Sequence, residues 1–138
     1  MISEFKGKYQ FLSNFYPAPV RLDGLFYRSV EHAYQAAKTN SPKEREDIRK
    51  TIKPGDAKRL GRKVTLRDDW EVVKLSVMMQ LLQDKFSALP YSVGLIATGD
   101  EELVEGNNWG DTFWGVCAGQ GENHLGKMLM QIRKELQL

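Results

Sequence analysis

The sequence predicts an α+β domain that is mostly helical and contains a few short β-strands. Hydrophobic residues make up 41% and charged residues 28% of the 138 residues, so the chain can form a core with a charged surface. Several segments repeat apolar residues every three or four positions, as amphipathic helices do. One Asp-Gly pair separates two short β-prone runs, as in a hairpin. The length predicts a single domain over residues 1–138.

The first predicted element is a β-hairpin, which follows an aromatic-rich segment at residues 5–16. Residues 20–22 and 25–27 flank Asp23-Gly24. Asp-Gly accepts the positive φ angles of a tight turn, so these two runs are expected to pair as antiparallel strands.

Three short helices are predicted next, each from a start signal in the sequence. The signals are a capping serine, a capping serine followed by proline, and a Pro-Gly pair. They are Ser29, Ser41-Pro42 and Pro54-Gly55, ahead of helices at residues 30–39, 42–50 and 54–61.

Two longer helices are predicted from their apolar stripes. One is capped by Asp68 or Asp69 and runs to about Lys85, and the other covers about residues 122–137. Apolar residues recur every three or four positions along both. The stripes consist of Trp70, Val73, Val77, Leu81 and Leu82 in the first helix and of Leu125, Met128, Leu129, Ile132 and Leu136 in the second.

The segment between these helices is predicted to be irregular and functional. Residues 99–121 hold half of the twelve glycines and two of the three tryptophans. Residues 95–97 and 103–104 are predicted to form short strands beside it. Glycine permits close backbone approach, and a tryptophan face can stack on a base or sugar. Trp109 and Trp114 therefore either contact a ligand or fill the core.

Three polar residues of this segment have two interpretations each. Partial burial between the tryptophans would suit the Asp111 carboxylate to acid or base work, but Asp111 could instead cap a turn. Asn107 and Asn108 could bind a sugar hydroxyl or a base edge, or could supply left-handed turn geometry.

The predicted helix at residues 30–39 carries a second candidate site. Glu31, Tyr34, Gln35 and Lys38 fall at positions i, i+3, i+4 and i+7, on one helix face. This stripe either lines a pocket or is a solvated stripe with Glu–Gln–Lys pairing. His32 is interpreted as a hydrogen-bonded core histidine rather than a ligand.

Composition excludes several classes of protein. A net charge of +2 is too small for binding nucleic acid by bulk charge, although basic residues outnumber acidic ones between residues 43 and 67. Cys117 is the only cysteine, so no internal disulfide can form and a cytoplasmic location is expected. Phosphate-loop, dinucleotide-fold, serine-hydrolase and zinc-protease motifs are missing, as is an apolar run long enough to cross a membrane. No metal, cofactor or membrane partner is predicted.

Motifs in order along nearly the whole chain resemble the NADAR family, also called YbiA-like. No single motif is decisive, but the set is specific. It comprises Phe5-x-Gly7, Phe11-Leu-Ser-Asn-Phe-Tyr-Pro17, Tyr27-x-Ser-Val-Glu-His-Ala-Tyr-Gln-Ala-Ala-Lys38, Ala57-Lys58-x-x-Gly61-Arg62, Trp70-x-x-Val-Lys74, Lys85-Phe86, Thr98-Gly99-Asp100, Trp109-Gly110-Asp111 and Leu125-Gly126.

This resemblance implies an N-glycosidase that acts on a small phosphoribosyl or ADP-ribosyl substrate. Known members are similar to enzymes that hydrolyse phosphoribosylamino-pyrimidines of riboflavin biosynthesis and release ribose 5-phosphate. Other members remove ADP-ribose from guanine in nucleic acid, which is the first alternative. The second alternative is a non-catalytic module that binds ADP-ribose or a nucleotide.

The resemblance also implies roles for individual residues. Glu31 would be the leading catalytic carboxylate, with Asp111 as its partner or as a ribose ligand. Arg62, with Lys58 and Lys127, would suit a 5′-phosphate, and an imine through Lys38 or Lys74 is a further route. The predicted substrate-binding residues are Asn14, Lys38, Arg62, Trp70, Asn108, Trp109, Gly110 and Trp114.

Overall fold

The computed structural model describes all 138 residues and contains six α-helices, four short strands and one 3-10 helix. In chain order these are the 3-10 helix Gly7–Leu12, β1 Val20–Leu22, β2 Leu25–Tyr27, α1 Val30–Ala37, α2 Pro42–Arg49, α3 Pro54–Gly61, α4 Trp70–Phe86, α5 Tyr91–Ala97, β3 Gly106–Asn107, β4 Val116–Cys117 and α6 His124–Leu136.

The chain divides into two compact units. Residues 14–85 form the central unit, and residues 1–13 together with 86–138 form the terminal unit. The expectation of a single domain over residues 1–138 stays a prediction.

The hairpin of the central unit forms as predicted. β1 and β2 pair antiparallel with Val20 opposite Tyr27. The turn residues Asp23 and Gly24 have φ angles of 48° and 85°. These left-handed angles are the reason that Asp-Gly predicts the turn.

Helix α1 lies inside the central unit, where it packs against α2, α3 and β1. All eight of its residues are buried, so its polar side chains must find partners within the protein. The predicted caps are present: Ser29 Oγ accepts a hydrogen bond from the His32 amide, and Ser41 Oγ accepts one from the Glu44 amide, each at 3.2 Å. These caps start α1 and α2 at the predicted residues.

The terminal unit contains α5, α6 and a two-residue parallel pairing of β3 with β4. Helix α5 packs against the 3-10 helix and α6. Leu125, Leu129 and Ile132 of the predicted α6 stripe are buried. The stripe therefore forms part of the core, as predicted.

The two strands predicted beside the glycine-rich segment are wrong. Residues 95–97 belong to α5, and Leu103 makes only a single bridge with Ile2. A short apolar run does not distinguish a strand from a helix, and here packing decides. Leu95 is buried, and Gly94 lies so close to the Phe11 ring that a β-carbon would clash with it.

The predicted class is confirmed as α+β and mainly helical with a few short strands. The helix limits differ from prediction by a few residues at most; the first predicted helix, for example, ends at Ala37 rather than at residue 39. None of the helices is both long enough and apolar enough to pass through a membrane.

Candidate active site

Glu31 lies in the first turn of α1 and is only 7% exposed. Its backbone amide donates a hydrogen bond to the carbonyl oxygen of Asn14 at 3.1 Å, which joins α1 to the segment before β1. A carboxylate at this position is favoured by the helix dipole. The structure therefore places the predicted catalytic carboxylate inside the protein at the start of a buried helix.

Gln35 lies one turn after Glu31 and donates a hydrogen bond from Nε2 to Glu31 Oε2 at 2.6 Å. Gln35 is 4% exposed. The Glu–Gln pairing predicted from the sequence is therefore present. The prediction that this helix face could be solvated is wrong, because Glu31, Tyr34 and Gln35 are all buried. Tertiary packing has placed a polar helix face in the interior.

Lys38 completes this face and stands among other charges of the central unit. Burial lowers the pKa of Lys38, and Glu31 opposes that effect by attraction. The positive charges of Arg62, Lys58 and Lys74 lower the same pKa further. Lys38 Nζ also lies 5.7 Å from the centre of the Tyr34 ring. One carboxylate and several cations thus act on each other here.

Asn14, whose backbone carbonyl accepts the hydrogen bond from the Glu31 amide, has a buried side-chain amide. It is 8% exposed, and its Nδ2 lies 3.6 Å from the Met78 sulfur. Its Oδ1 is buried and has no hydrogen-bond partner. An unsatisfied buried acceptor is unusual and marks a position where a polar group of a ligand or a water would be stabilised.

Trp70 and His32 of the central unit are both buried in its core. Trp70 is 5% exposed, and its ring lies 5.2 Å from the Tyr34 ring. His32 is hydrogen-bonded through both ring nitrogens, to Ser29 Oγ at 2.7 Å and to the Thr51 carbonyl at 3.0 Å. Burial lowers the pKa of His32. His32 is therefore a hydrogen-bonded core residue, as the sequence favours.

Lys85 is a buried residue for which the sequence analysis predicts no role. It is 1% exposed, and burial lowers its pKa to about 7. A signal was present in the sequence, because Lys85 continues the helical spacing of the buried Met78, Leu81 and Leu82. A lysine on an apolar stripe indicates a buried amine.

Asp111, in the terminal unit, has the geometry of a turn-capping aspartate. Its Oδ1 accepts hydrogen bonds from the amides of Phe113 and Trp114 at 3.1 and 2.9 Å. Asn107 supports the turn, since its Oδ1 accepts from the Asp111 amide and its Nδ2 donates to the Asp111 carbonyl. The convergence of Asp111 and Glu31 on one sugar stays a prediction.

The other predicted residues of this segment differ in exposure. Trp109 is 55% exposed, and Asn108 and Gly110 are exposed beside it. Gly110 has a φ of 86°, which an L side chain adopts rarely. Trp114 is half-buried and meets the Phe113 ring edge-on at 4.8 Å. Trp109 is thus more exposed than Trp114, which packs against Phe113.

Metal-ligating side chains are dispersed through the protein. No three His, Cys, Asp or Glu residues come together in a group that could hold an ion. The polar groups that the structure does gather are the carboxylate, amides and cations around Glu31.

Comparison with known proteins shows close relatives. The N-glycosidase YbiA of Escherichia coli strain K12 is 39% identical over 128 residues, covering 90% of this chain and 79% of that protein. A riboflavin biosynthesis protein of Vibrio vulnificus is 38% identical over 131 residues, and the chain spans 35% of its length. The NMR structure of the E. coli protein YbiA superposes with a TM-score of 0.85 at 37% identity, covering 99% of this chain and 85% of that chain.

The names of these relatives agree with the expected class of enzyme, a hydrolase of N-glycosyl bonds. The sequence matches the NADAR domain over residues 3–137, and the chain belongs to that family. The family resemblance seen in the motifs is thereby confirmed.

Proposed function

We propose that the protein hydrolyses the bond between a 5-phosphorylated ribose and an exocyclic amine of a heterocycle. The proposed substrate is a phosphoribosylamino-pyrimidine of riboflavin biosynthesis, and the sugar product is ribose 5-phosphate. The relatives named N-glycosidase and riboflavin biosynthesis protein support this choice. The observation that carries it is the buried Glu31 carboxylate, which accepts a hydrogen bond from Gln35 and attracts Lys38, the lysine on which Arg62, Lys58 and Lys74 also act.

Glu31 would act at the anomeric carbon. As the carbon–nitrogen bond breaks, positive charge develops on the sugar, and a nearby carboxylate stabilises it or activates the attacking water. The water oxygen becomes the anomeric hydroxyl, and the departing amine takes up the proton. A carboxylate that is already oriented and shielded from solvent needs little reorganisation when this charge develops.

The cations near Lys38 would bind the 5′-phosphate. Arg62, Lys58 and Lys74 each disfavour the charged form of Lys38, whereas Glu31 favours it, and Lys74 also pairs with Glu71 at 2.6 Å. A phosphate dianion would offset the repulsion that these three cations exert on Lys38 and would accept several charge-assisted hydrogen bonds. Arg62 is exposed, which suits a group that meets an incoming substrate.

The exposed tryptophan is assigned to the heterocycle. Trp109 would stack on the pyrimidine, whereas the buried Trp70 would support Tyr34 from within the core. Asp111 keeps its proposed role as the partner of Glu31 or as a ribose ligand.

Removal of ADP-ribose from guanine in nucleic acid is the alternative substrate choice. It would use the basic segment 43–67 to bind phosphates. Several cations of that segment already pair with acidic side chains, which weakens this choice. The pairs are Lys43–Asp47, Arg45–Asp23, Arg49–Glu46, Arg59–Asp56 and Arg67–Asp69.

Release of ribose 5-phosphate from a phosphoribosylamino-pyrimidine tests the proposal. Wild type should release it, and Glu31→Gln should lower kcat by about 10²–10⁴-fold while substrate still binds. Glu46→Gln, which changes a glutamate paired with Arg49 on α2, is the matched control and should retain full activity. Full activity of Glu31→Gln contradicts the role of Glu31, and binding without turnover in wild type supports the non-catalytic module.

An ADP-ribosylated guanine oligonucleotide separates the two enzymatic choices. Release of ADP-ribose that weakens steeply with added salt, without cleavage of the pyrimidine substrate, would favour the nucleic-acid alternative.

A further inference from the structure

We infer that Gln35 is a positioning residue that orients the Glu31 carboxylate. We further infer that glycine is needed at position 61 because a side chain there would displace Gln35. This inference rests on the proposed function, because it takes Glu31 as the group that acts on the sugar. Gln35 and Glu31 lie one turn apart on the same face of α1, and Nε2 of Gln35 is 2.6 Å from Oε2 of Glu31.

The position of the Gln35 amide is set by the backbone of α3. A β-carbon at residue 61 would overlap Oε1 of Gln35 and would also crowd its Cδ and Cβ atoms. Gly61 is buried at the last turn of α3, and α3 packs closely on α1. Any residue other than glycine at position 61 would displace the Gln35 side chain. The Gln35 amide therefore lies between the backbone of α3 on one side and Glu31 on the other.

The polar atoms of Gln35 point to more than packing. Its Oε1 is buried and has no hydrogen-bond partner, which costs stability. A leucine or methionine would fill a similar volume without leaving a buried oxygen unsatisfied. The donor on Nε2 is a feature of glutamine that such residues lack, and it is directed at Glu31.

The hydrogen bond from Gln35 restrains the orientation of the Glu31 carboxylate, which lies near charged side chains. Donation to Oε2 restrains the plane of the carboxylate and favours its ionised form. Lys38 of α1 attracts Glu31, while Arg62 and Lys58 from the α3 region and Lys74 of α4 act on Lys38. Loss of the Gln35 hydrogen bond would remove one restraint on the carboxylate of Glu31 and would weaken its orientation toward the sugar.

Kinetics of Gln35→Leu and Gln35→Met test the inference. Both should lower kcat by roughly 10–100-fold with little change in KM, because a misoriented carboxylate weakens the transition state more than binding. The acid limb of the kcat profile should move to higher pH, since the ionised carboxylate has lost a donor. A wild-type kcat and an unmoved acid limb in both variants would overturn the inference.

A double-mutant cycle tests the role of Gly61. Gly61→Ala should lower kcat in the wild-type background, but should have little further effect in Gln35→Ala, where the side chain that it displaces is gone. Equal losses in the two backgrounds would show that Gly61 acts independently of Gln35, and this part of the inference would be wrong.

Two measurements separate this inference from the proposed function. If Glu31→Gln is fully active, the role of Glu31 fails whatever Gln35 does; if Glu31→Gln is inactive and the Gln35 variants are normal, only the positioning role fails. The side-chain amide signal of Gln35, followed by NMR in ¹⁵N-labelled protein, gives a readout without turnover. Glu31→Ala should shift that signal strongly, and an unchanged signal would contradict the hydrogen bond.

Discussion

The ammonium nitrogen of Lys85 lies 6.0 Å from the centre of the Tyr16 ring, in a position where the lysine is 1% exposed. Lys85 ends the stripe of α4 that contains the buried Met78, Leu81 and Leu82. A charged amine at such a depth is costly, and burial lowers its pKa from 10.5 to about 7. Stability should therefore depend on pH through this residue.

The stability of the wild-type protein relative to Lys85→Met should rise with pH. Between pH 7 and 10.5 the unfolded lysine binds a proton that the folded lysine has largely lost. The free energy of unfolding contributed by Lys85 therefore rises with pH by up to about 1.4 kcal/mol per unit, and it is constant below that range.

Urea unfolding of both proteins from pH 7 to 10 measures this dependence. Other groups that titrate there are common to both proteins, so they cancel in the difference. A difference that does not vary with pH would contradict the buried, deprotonating amine.

Two glycines of α3 should respond oppositely to alanine. Gly61→Ala should lower the free energy of unfolding by about 1–3 kcal/mol, because the new methyl group collides with Gln35. Gly55→Ala is the matched control in the same helix, where a β-carbon meets nothing within 4 Å. It should leave stability unchanged or raise it by up to about 1 kcal/mol. Equal effects in urea unfolding would disprove the close contact.

Two substitutions of Asp111 should distinguish its structural role in the turn from a role in catalysis. Asp111→Asn keeps an oxygen for the amides of Phe113 and Trp114, so its stability should stay within about 0.5 kcal/mol of wild type. Asp111→Ala leaves both amides without that acceptor and should cost about 1 kcal/mol. If the carboxylate acts at the sugar, kcat of Asp111→Asn should fall at least about tenfold.

The kinetic result decides between the two interpretations of Asp111. A fully active Asp111→Asn together with an unstable Asp111→Ala would show that the residue only caps the turn.

Two tryptophans should differ in what their loss changes. Trp70→Ala should lower the free energy of unfolding by about 3–5 kcal/mol, because Trp70 is buried against Tyr34. Trp109→Ala should change stability by no more than about 0.5 kcal/mol, since Trp109 is 55% exposed. It should raise KM by roughly tenfold if the ring stacks on the heterocycle.

Trp109→Phe serves as the control for stacking and should restore most of the affinity. Unchanged KM values in both Trp109 variants would rule out a stacking role.

Local signals in the sequence predicted much of the fold correctly. Asp23-Gly24 specifies the hairpin turn, and Ser29 and Ser41 start their helices, because turn and cap geometries depend on a few adjacent residues. Residues 95–97 were predicted incorrectly because a short apolar run fits either a strand or a helix. The residues that pack on this run, such as Phe11 beside Gly94, are distant in the chain.

Helical spacing alone is enough to show which side chains share a face of α1, because it places Glu31, Gln35 and Lys38 together. The burial of this face could not be predicted in the same way, because it depends on α2, α3 and β1 packing around α1. The same packing gives Gln35 its place beside Gly61 and removes water from the groups around Lys38. Partners and protonation of polar groups follow from solvent exclusion, which no local pattern encodes.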